Sequence, residues 1–204
     1  MRRFLQDNKI CAILRNIPLE ETLSYARVVY EGGVGMFEVA TNSSEALKQI
    51  ALLKEEFGDD VAVGAGTAVT VELVKEAANA GAQFFLTPSA SVPVLSYCRE
   101  HELPLLPGVL TPTEVDLCIQ YGFTLLKLFP AGDMPPGYIK SLKGPFDQTD
   151  YVAVGGVSPD NIEEFFQYGF VGVGIGSNLI PKQYREAGKW DEAREYVRTL
   201  VNKA

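Results

Sequence analysis

The chain has few of the residues from which metal sites, disulfide frameworks and serine-hydrolase triads are built. Its 204 residues include one histidine and three cysteines. A single histidine excludes the common Ser-His-Asp and zinc arrangements, and His101 lies in the charged stretch Arg-Glu-His-Glu, which predicts a solvated surface position. Because Cys11, Cys98 and Cys118 are odd in number and show no paired spacing, the sequence predicts reduced thiols and no metal site.

Long apolar runs and an excess of positive charge are also missing. The 18 Lys and Arg residues stand against 26 Asp and Glu, a net charge of -8, which disfavours nucleic acid or an anionic membrane as a partner. No apolar run approaches the ~18 residues of a membrane span, and the polar start lacks the apolar core of a signal peptide. We therefore expect a cytoplasmic protein without nucleic-acid or membrane partners, in which an anionic substrate needs a local site.

What the chain does contain is a regular alternation of strand-like and helix-like segments. With 47% hydrophobic residues and no linker or low-complexity tract, it predicts a single domain over residues 1–204. Between helical spacings such as Ala46, Ile50, Leu53 and Phe57, eight short apolar runs predict strands. These runs are Ile10–Leu14, Met36–Val39, Val61–Ala65, Phe84–Thr87, Leu105–Leu106, Leu125–Phe129, Tyr151–Val154 and Gly172–Ile175. Eight βα units predict an α/β fold, the (β/α)8 TIM barrel, with a doubly wound open sheet as the alternative.

Local signals mark where the helices begin and end. Glycines follow four helical segments, as they do at helix C-termini, and Thr111 to Glu114 has the form of a capping box. The last segment, Trp190 to Lys203, predicts a closing amphipathic helix. The stretch from Gly132 to Gly144, which contains Pro135-Pro136, predicts a long loop after the sixth strand, at the face where barrel enzymes carry their function.

One lysine, Lys127, interrupts the apolar run Leu-Leu-Lys-Leu-Phe-Pro of the sixth strand. An ammonium group is costly to remove from water unless it is paired or loses its proton, so an interior Lys127 should have a lowered pKa and a nucleophilic lone pair. The alternative is a strand-end lysine whose stem packs inside while its amine reaches solvent. These six residues alone favour that alternative.

A second charge of this kind, Glu38, lies near the end of the second strand between Phe37 and Val39. Strands two and six are both even-numbered, so Glu38 and Lys127 are expected in one layer of the barrel interior. A buried salt bridge would explain the pair poorly, because the cost of desolvating both charges cancels most of their attraction and the bridge adds little stability. A lysine of lowered pKa beside a carboxyl group instead predicts Schiff-base chemistry with a carbonyl substrate, in which Glu38 moves protons.

Glycine-rich turns follow the last two strands, with Gly155 and Gly156 in one and Gly176 and Ser177 in the other. Those positions are the usual phosphate site of a barrel, where backbone N–H groups hold an anion. Either turn alone would be explained as an ordinary tight turn, but two such turns in these places favour the phosphate site. At other strand ends, small residues leave room for a ligand, and three residues are candidates for binding it: Arg15, Thr67 and Pro88.

Several short motifs cover nearly the whole chain. They are Gly-Gly-Val before the second strand, Phe-Glu-Val at Glu38, Gly-Ala-Gly-Thr at Thr67, Thr-Pro at Pro88, Pro-Gly-Val-Leu-Thr-Pro-Thr-Glu from Pro107, Lys-Leu-Phe-Pro-Ala from Lys127, Gly-Gly-Val at Gly155 and Gly-Ser at Ser177. In this combination and order, the chain resembles the class I aldolases that act on 2-keto-3-deoxy-6-phosphogluconate and 4-hydroxy-2-oxoglutarate.

The resemblance implies cleavage of a phosphorylated 2-keto acid to pyruvate and an aldehyde such as glyceraldehyde 3-phosphate, without metal or cofactor, by a homotrimer. It assigns Lys127 as the Schiff-base lysine and Glu38 as the general acid/base. It places the phosphate at Gly155, Gly156, Gly176 and Ser177, and the carboxylate and keto group near Arg15, Thr67, Pro88, Asn42 and Phe129.

Two departures from the gluconate-type pattern concern the substrate. An arginine usual shortly after the glutamate is replaced by Thr41-Asn42-Ser43, and a threonine before the paired glycines is replaced by Val154. Both resemble the branch that acts on 2-keto-3-deoxy-6-phosphogalactonate, which is the alternative substrate, and Arg15 is then expected to bind the carboxylate. Two more distant alternatives are a phosphosugar isomerase or epimerase and a non-catalytic phosphosugar-binding protein.

Overall fold

A barrel of parallel strands forms the centre of the computed structural model, which describes residues 1–135 and 137–204. The strands are β1 Ile10–Leu14, β2 Met36–Ala40, β3 Ala62–Gly66, β4 Phe84–Leu86, β5 Leu105–Leu106, β6 Gly108–Val109, β7 Leu125–Leu128, β8 Asp150–Val154 and β9 Gly172–Ile175. They pair in the order β5-β4-β3-β2-β1-β9-β8-β7-β6, and every pairing is parallel.

The two ends of this order are one interrupted strand. Strand β5 pairs with β4, β6 pairs with β7, and only Pro107 separates them. Proline has no N–H to donate to a ladder, but its carbonyl oxygen still accepts a hydrogen bond from the Lys127 N–H at 2.9 Å. Counted as one, β5 and β6 close an eight-stranded circle. The predicted (β/α)8 barrel in a single domain is therefore confirmed, and the open sheet is excluded.

Helices connect the strands and cover the outside of the barrel. They are α1 Arg2–Gln6, α2 Thr22–Glu31, α3 Ala46–Phe57, α4 Val71–Asn79, α5 Val92–Glu100, α6 Pro112–Gln120, α7 Tyr138–Lys143, α8 Ile162–Gln167, α9 Lys182–Glu186 and α10 Trp190–Asn202. The closing helix α10 packs on α2 and α9, as its amphipathic pattern predicts. Within the described ranges, no helix combines the length and apolarity needed to cross a bilayer.

The predicted strand boundaries differ from the observed ones by one residue at several ends, and the predicted loop is wrong. Glu114 closes the capping box by accepting the Thr111 N–H at 2.8 Å. The predicted loop over residues 132–144 instead contains the helix α7 and part of a 3-10 turn at Ala131–Asp133. The prolines suggested a loop, but α7 starts just after them and buries two apolar side chains. Pro136, which that prediction included, lies outside the described residues.

Apolar side chains fill the barrel interior beneath the carboxyl ends of the strands. Residues alternate between the interior and the helix-covered face along each strand. The interior set is Leu5, Cys11, Ile13, Met36, Phe84, Leu86, Leu106, Leu125, Val152 and Val154. Leu5 belongs to α1, which therefore closes the barrel at the amino ends of the strands. Polar chemistry is left to the opposite, carboxyl-end face.

Candidate active site

A cavity of about 320 Å³ opens at the carboxyl ends of the strands. Its wall is formed by Ile13, Arg15, Asn16, Glu38, Thr67, Pro88, Lys127, Phe129, Val154, Gly155, Gly156, Val157, Gly174, Gly176, Ser177 and Asn178. Because parallel strands end at the same face, residues far apart in the sequence meet here. All but one of the site residues expected from the sequence lie on this wall. The exception is Asn42.

Lys127 lies on β7 with its side chain inside the barrel. Its neighbours across the ladder are Gly108 and Val152, and only 5% of the residue is exposed. The Nζ atom lies 4.9 Å from the centre of the Phe129 ring. Burial lowers the pKa of this amine, Arg15 lowers it further, and the nearby Glu38 and Cys11 oppose the change. The net direction is down, which favours a neutral, nucleophilic amine.

Glu38 projects from β2 into the same cavity and is 1% exposed. Its carboxyl group lies over Gly66 of the neighbouring strand, where the Oε1 atom occupies the space that a Cβ would need. The Oε2 atom is buried and has no hydrogen-bond partner among the described residues. Burial raises the pKa of Glu38, while the charges of Lys127 and Arg15 partly oppose this. The carboxyl group is thus prepared to hold a proton and to release it.

Glu38 and Lys127 interact through space without forming a direct ion pair within 4.0 Å. The interior alternative left open by the sequence, a buried salt bridge, therefore does not describe this pair. A buried carboxyl oxygen without a partner and a buried amine lie on either side of a space that a carbonyl or hydroxyl group can enter. This arrangement suits addition of the amine to a carbonyl, with the carboxyl group moving protons.

Arg15 extends over the cavity mouth from the end of β1. It donates hydrogen bonds to Asn42 Oδ1 at 2.7 Å and to Thr67 Oγ1 at 3.1 Å. Thr67 has a φ of 57°, and its carbonyl oxygen is held by the Thr41 hydroxyl at 3.0 Å. A non-glycine residue in this left-handed region needs such fixed contacts. Asn42 thus acts on the cavity through Arg15, whose guanidinium group is fixed where a carboxylate can reach it.

The opposite end of the cavity is made of backbone. The φ angles of Gly155 and Gly156 are 87° and 75°, in a region that glycine adopts without steric cost. Within the described residues, the backbone N–H groups of Gly156, Val157, Ser177 and Asn178 have no hydrogen-bond partner. Four unpartnered N–H donors beside a cavity are groups of the kind that hold an anion.

Some wall residues were not singled out as site residues from the sequence. Val157 and Asn178 belong to the two glycine-rich turns that the sequence indicates as the phosphate site. Ile13 and Gly174 are interior positions of β1 and β9, which alternation along a strand indicates only once the register is known. His101, expected at the surface, is exposed, and its Nδ1 atom lies 2.9 Å from the Tyr97 carbonyl oxygen.

Comparison with known proteins adds a family and several solved relatives. A family model described as KDPG and KHG aldolase matches residues 1–196. The 2-dehydro-3-deoxy-6-phosphogalactonate aldolase of Escherichia coli is 34% identical over 83% of this chain and 83% of its own length. The KHG/KDPG aldolase of the same organism is 33% identical over 91% of this chain and 87% of its own.

A solved structure extends the comparison to the reaction centre of a relative. The KDPG aldolase of Legionella pneumophila, with pyruvate captured as a covalent carbinolamine intermediate, superposes with a TM-score of 0.88. It is 27% identical, and the match covers 97% of this chain and 96% of that one.

Proposed function

The chain belongs to the KDPG and KHG aldolase family, and from this membership we propose how its site works. The protein is an aldehyde-lyase of the pyruvate-dependent kind, in which Lys127 forms the Schiff base and Glu38 moves protons. The observation that carries the assignment is Lys127 itself, a lysine 5% exposed inside a cavity with Glu38 as the second buried charge on its wall. The substrate is 2-keto-3-deoxy-6-phosphogluconate, or 4-hydroxy-2-oxoglutarate, which carries no phosphate.

The reaction begins with addition of the neutral Lys127 amine to the C2 carbonyl. Burial lowers the pKa of the amine, so the free base is present at a pH where an ordinary lysine is protonated. The addition gives a carbinolamine, and the raised pKa of Glu38 keeps a proton available for its hydroxyl group. Water leaves with that proton, and the product is a protonated imine joined to Lys127.

Cleavage of the carbon chain follows from the electron demand of this imine. The Glu38 carboxylate, now deprotonated, takes the proton of the C4 hydroxyl group, and the C3–C4 bond breaks. Its electron pair moves to the imine nitrogen and forms an enamine, while C4 becomes the carbonyl carbon of the aldehyde. The enamine then takes a proton at C3, water adds to the imine, and pyruvate leaves the regenerated lysine.

The two ends of the substrate are held by different means. We place the phosphate against the backbone N–H groups of Gly155, Gly156, Gly176 and Ser177, where unpartnered donors and small residues lie together. The carboxylate is placed near Arg15, with Thr67, Pro88 and Phe129 around the keto group. Asn42 supports this end by fixing Arg15 at 2.7 Å.

A second candidate substrate is the galactonate epimer, favoured by one contact. Arg15 is bonded to Asn42 at the position where the gluconate-type enzymes carry their own arginine, and Val154 lies on the wall before the paired glycines. Parallel assays of the two phosphorylated epimers decide between them. A higher kcat/KM for the galactonate form assigns that branch, and a higher value for the gluconate form rejects it.

We also propose a cytoplasmic homotrimer. Three buried, unbridged cysteines, Cys11, Cys98 and Cys118, suit a reducing compartment. Val69 and Val92 are 40% and 44% exposed in the single chain, and they offer apolar surface for contact between subunits. Sedimentation velocity tests the assembly, since one or two chains per particle would reject the trimer.

Trapping with borohydride tests the chemistry. With pyruvate present, borohydride reduction should attach a three-carbon adduct to Lys127, located by mass spectrometry of peptides. Lys127→Met should abolish the adduct, while the exposed-site control Lys48→Met should keep it. An adduct that persists in Lys127→Met, or maps to another lysine, would overturn the proposed function.

A further inference from the structure

The backbone turns at the phosphate end are held in place by two asparagine side chains outside the expected site list. Asn161 precedes α8, and Asn178 follows Ser177. Both make their hydrogen bonds to the turn after β8. The affinity of such a site for an anion depends on the orientation of its N–H groups. Side chains that hold these N–H groups in place therefore contribute to the affinity.

Asn161 occupies the position where a side chain ordinarily caps its own helix, but it does not do so here. An N-cap asparagine usually accepts from the second or third N–H of the helix. The Asn161 side chain makes no such bond. It turns back instead, accepting the Ser158 N–H at 2.8 Å and donating to the Gly156 carbonyl oxygen at 2.9 Å. Both ends of the segment Gly156 to Ser158 are thereby bound to one amide.

Asn178 joins the two glycine turns to each other. Its Nδ2 atom donates to the Val157 carbonyl oxygen at 3.0 Å. With the carbonyl oxygens of Gly156 and Val157 occupied by asparagine amides, the N–H groups of the same two residues remain without partners beside the cavity. The protein's own hydrogen bonds therefore fix the turn that carries these N–H groups.

Tight packing behind the turn makes its position sensitive to small movements. A Cβ placed on Gly156 would lie 2.9 Å from the Cα of Gly132, so the two backbones are already in contact. The Gly132 N–H also donates to the Gly155 carbonyl oxygen at 2.8 Å. The turn cannot move toward Gly132, and the hydrogen bonds of the two asparagines restrain it further.

We propose that Asn161 and Asn178 are positioning residues that hold the Gly155-Gly156 and Gly176-Ser177 turns in register as one phosphate-binding unit. The proposal rests on the proposed function, because it assigns the phosphate to these turns. Neither side chain is asked to take part in imine chemistry. Their loss should therefore affect phosphorylated ligands and leave pyruvate unaffected.

The test compares a phosphorylated ligand with pyruvate in Asn161→Ala and Asn178→Ala. We expect the KM of the phosphorylated aldol substrate and the inhibition constant of inorganic phosphate to rise about 10-fold or more in each. The half-saturating pyruvate concentration for borohydride trapping should stay within about two-fold of the wild type. The matched control is Asn8→Ala, which removes an amide that bridges Gly35 N–H and the Phe4 carbonyl oxygen on the other face of the barrel.

The outcomes separate this inference from the function on which it rests. If the wild type traps no pyruvate, the aldolase assignment fails. If it traps pyruvate but the asparagine variants bind inorganic phosphate like the wild type, only the positioning role fails. Equal losses toward phosphate and pyruvate would also overturn it, because they indicate general damage to the fold. If Asn161→Ala does not fold, Asn178→Ala gives the same decision.

Discussion

The two ends of the cavity are built from different materials. The end that contains Lys127 and Glu38, here called the carbonyl end, has two ionisable side chains that are 5% and 1% exposed. Burial lowers the pKa of Lys127 and raises the pKa of Glu38, so both shifts favour the neutral group. At the end where we place the phosphate, Gly155 and Gly156 have no side chain and present backbone N–H groups instead. Removal from water shifts the pKa values of the two side chains and so makes them reactive. Backbone N–H dipoles bind an anion without an oppositely charged side chain. Substitution of Lys127 or Glu38 should therefore change kcat, and disturbance of the glycine turns should change KM.

The largest expected effect is that of Lys127→Met. The methionine keeps the length and apolar stem of the lysine but has no nucleophile, so kcat should fall by at least about 10⁴-fold. Steady-state release of pyruvate from the phosphorylated substrate measures this. Activity within 10-fold of the wild type would place the nucleophile elsewhere and remove the distinction between the two ends.

Glu38→Gln should have the next largest effect, a loss of about 10²- to 10⁴-fold in kcat with little change in KM. The amide fills the same space over Gly66 but cannot accept or return a proton. Trapping of pyruvate should slow as well, because carbinolamine dehydration needs the same proton. A variant that raises KM and leaves kcat unchanged would assign Glu38 to binding instead.

A smaller, binding-type effect is expected at the mouth of the carbonyl end. Arg15→Ala should raise the KM for pyruvate in the condensation direction by about 10- to 100-fold, as loss of a charge-assisted contact does. Asn42→Ala should give a weaker effect of the same kind, because it only releases the guanidinium group. Arg15→Ala with an unchanged KM would reject the carboxylate-binding role.

The smallest effect concerns stability, and its pH dependence follows from the two shifted groups. Burial raises the pKa of Glu38 above 4.5, so at higher pH the unfolded chain releases a proton that the folded chain still holds, and stability falls as pH rises through that window. Burial lowers the pKa of Lys127 below 10.5, so stability rises with pH between its folded value and 10.5.

The double variant Lys127→Met with Glu38→Gln removes both dependences. It should be inactive and more stable than the wild type by about 1–4 kcal/mol, since buried ionisable groups are replaced by neutral ones of similar volume. Urea denaturation across the pH range gives the free energy of unfolding. A double variant less stable than the wild type would mean that the charges stabilise the fold.

The sequence points to the carbonyl end through single residues and to the phosphate end only through glycine-rich turns, and the reason is physical. Lys127 and Glu38 are ionisable residues within apolar strands, and such exceptions can be recognised from the sequence alone. The eight strands were found from apolar runs, but the break at Pro107 and the helix α7 depend on contacts made only in the folded chain. Asn161 was missed because its hydrogen bonds to the Ser158 N–H and the Gly156 carbonyl oxygen exist only in the folded chain.

The pairing of Arg15 with Asn42 shows a similar limit. The sequence placed both residues near the carboxylate, but it could not show that one acts through the other. Twenty-seven positions separate them in the chain, and only the pairing of β1 with β2 brings them together. The predicted loop after the sixth strand failed for a related reason, because the buried contacts of Ile139 and Leu142 decide for helix.

The pH dependence of pyruvate trapping at Lys127 tests the central claim most directly. The rate of borohydride-trapped adduct formation should rise with pH to a plateau, with a midpoint clearly below the ordinary lysine value of 10.5, because burial favours the neutral amine. A midpoint at or above 10.5, or an adduct on another residue, would contradict the account of a buried, neutral nucleophile.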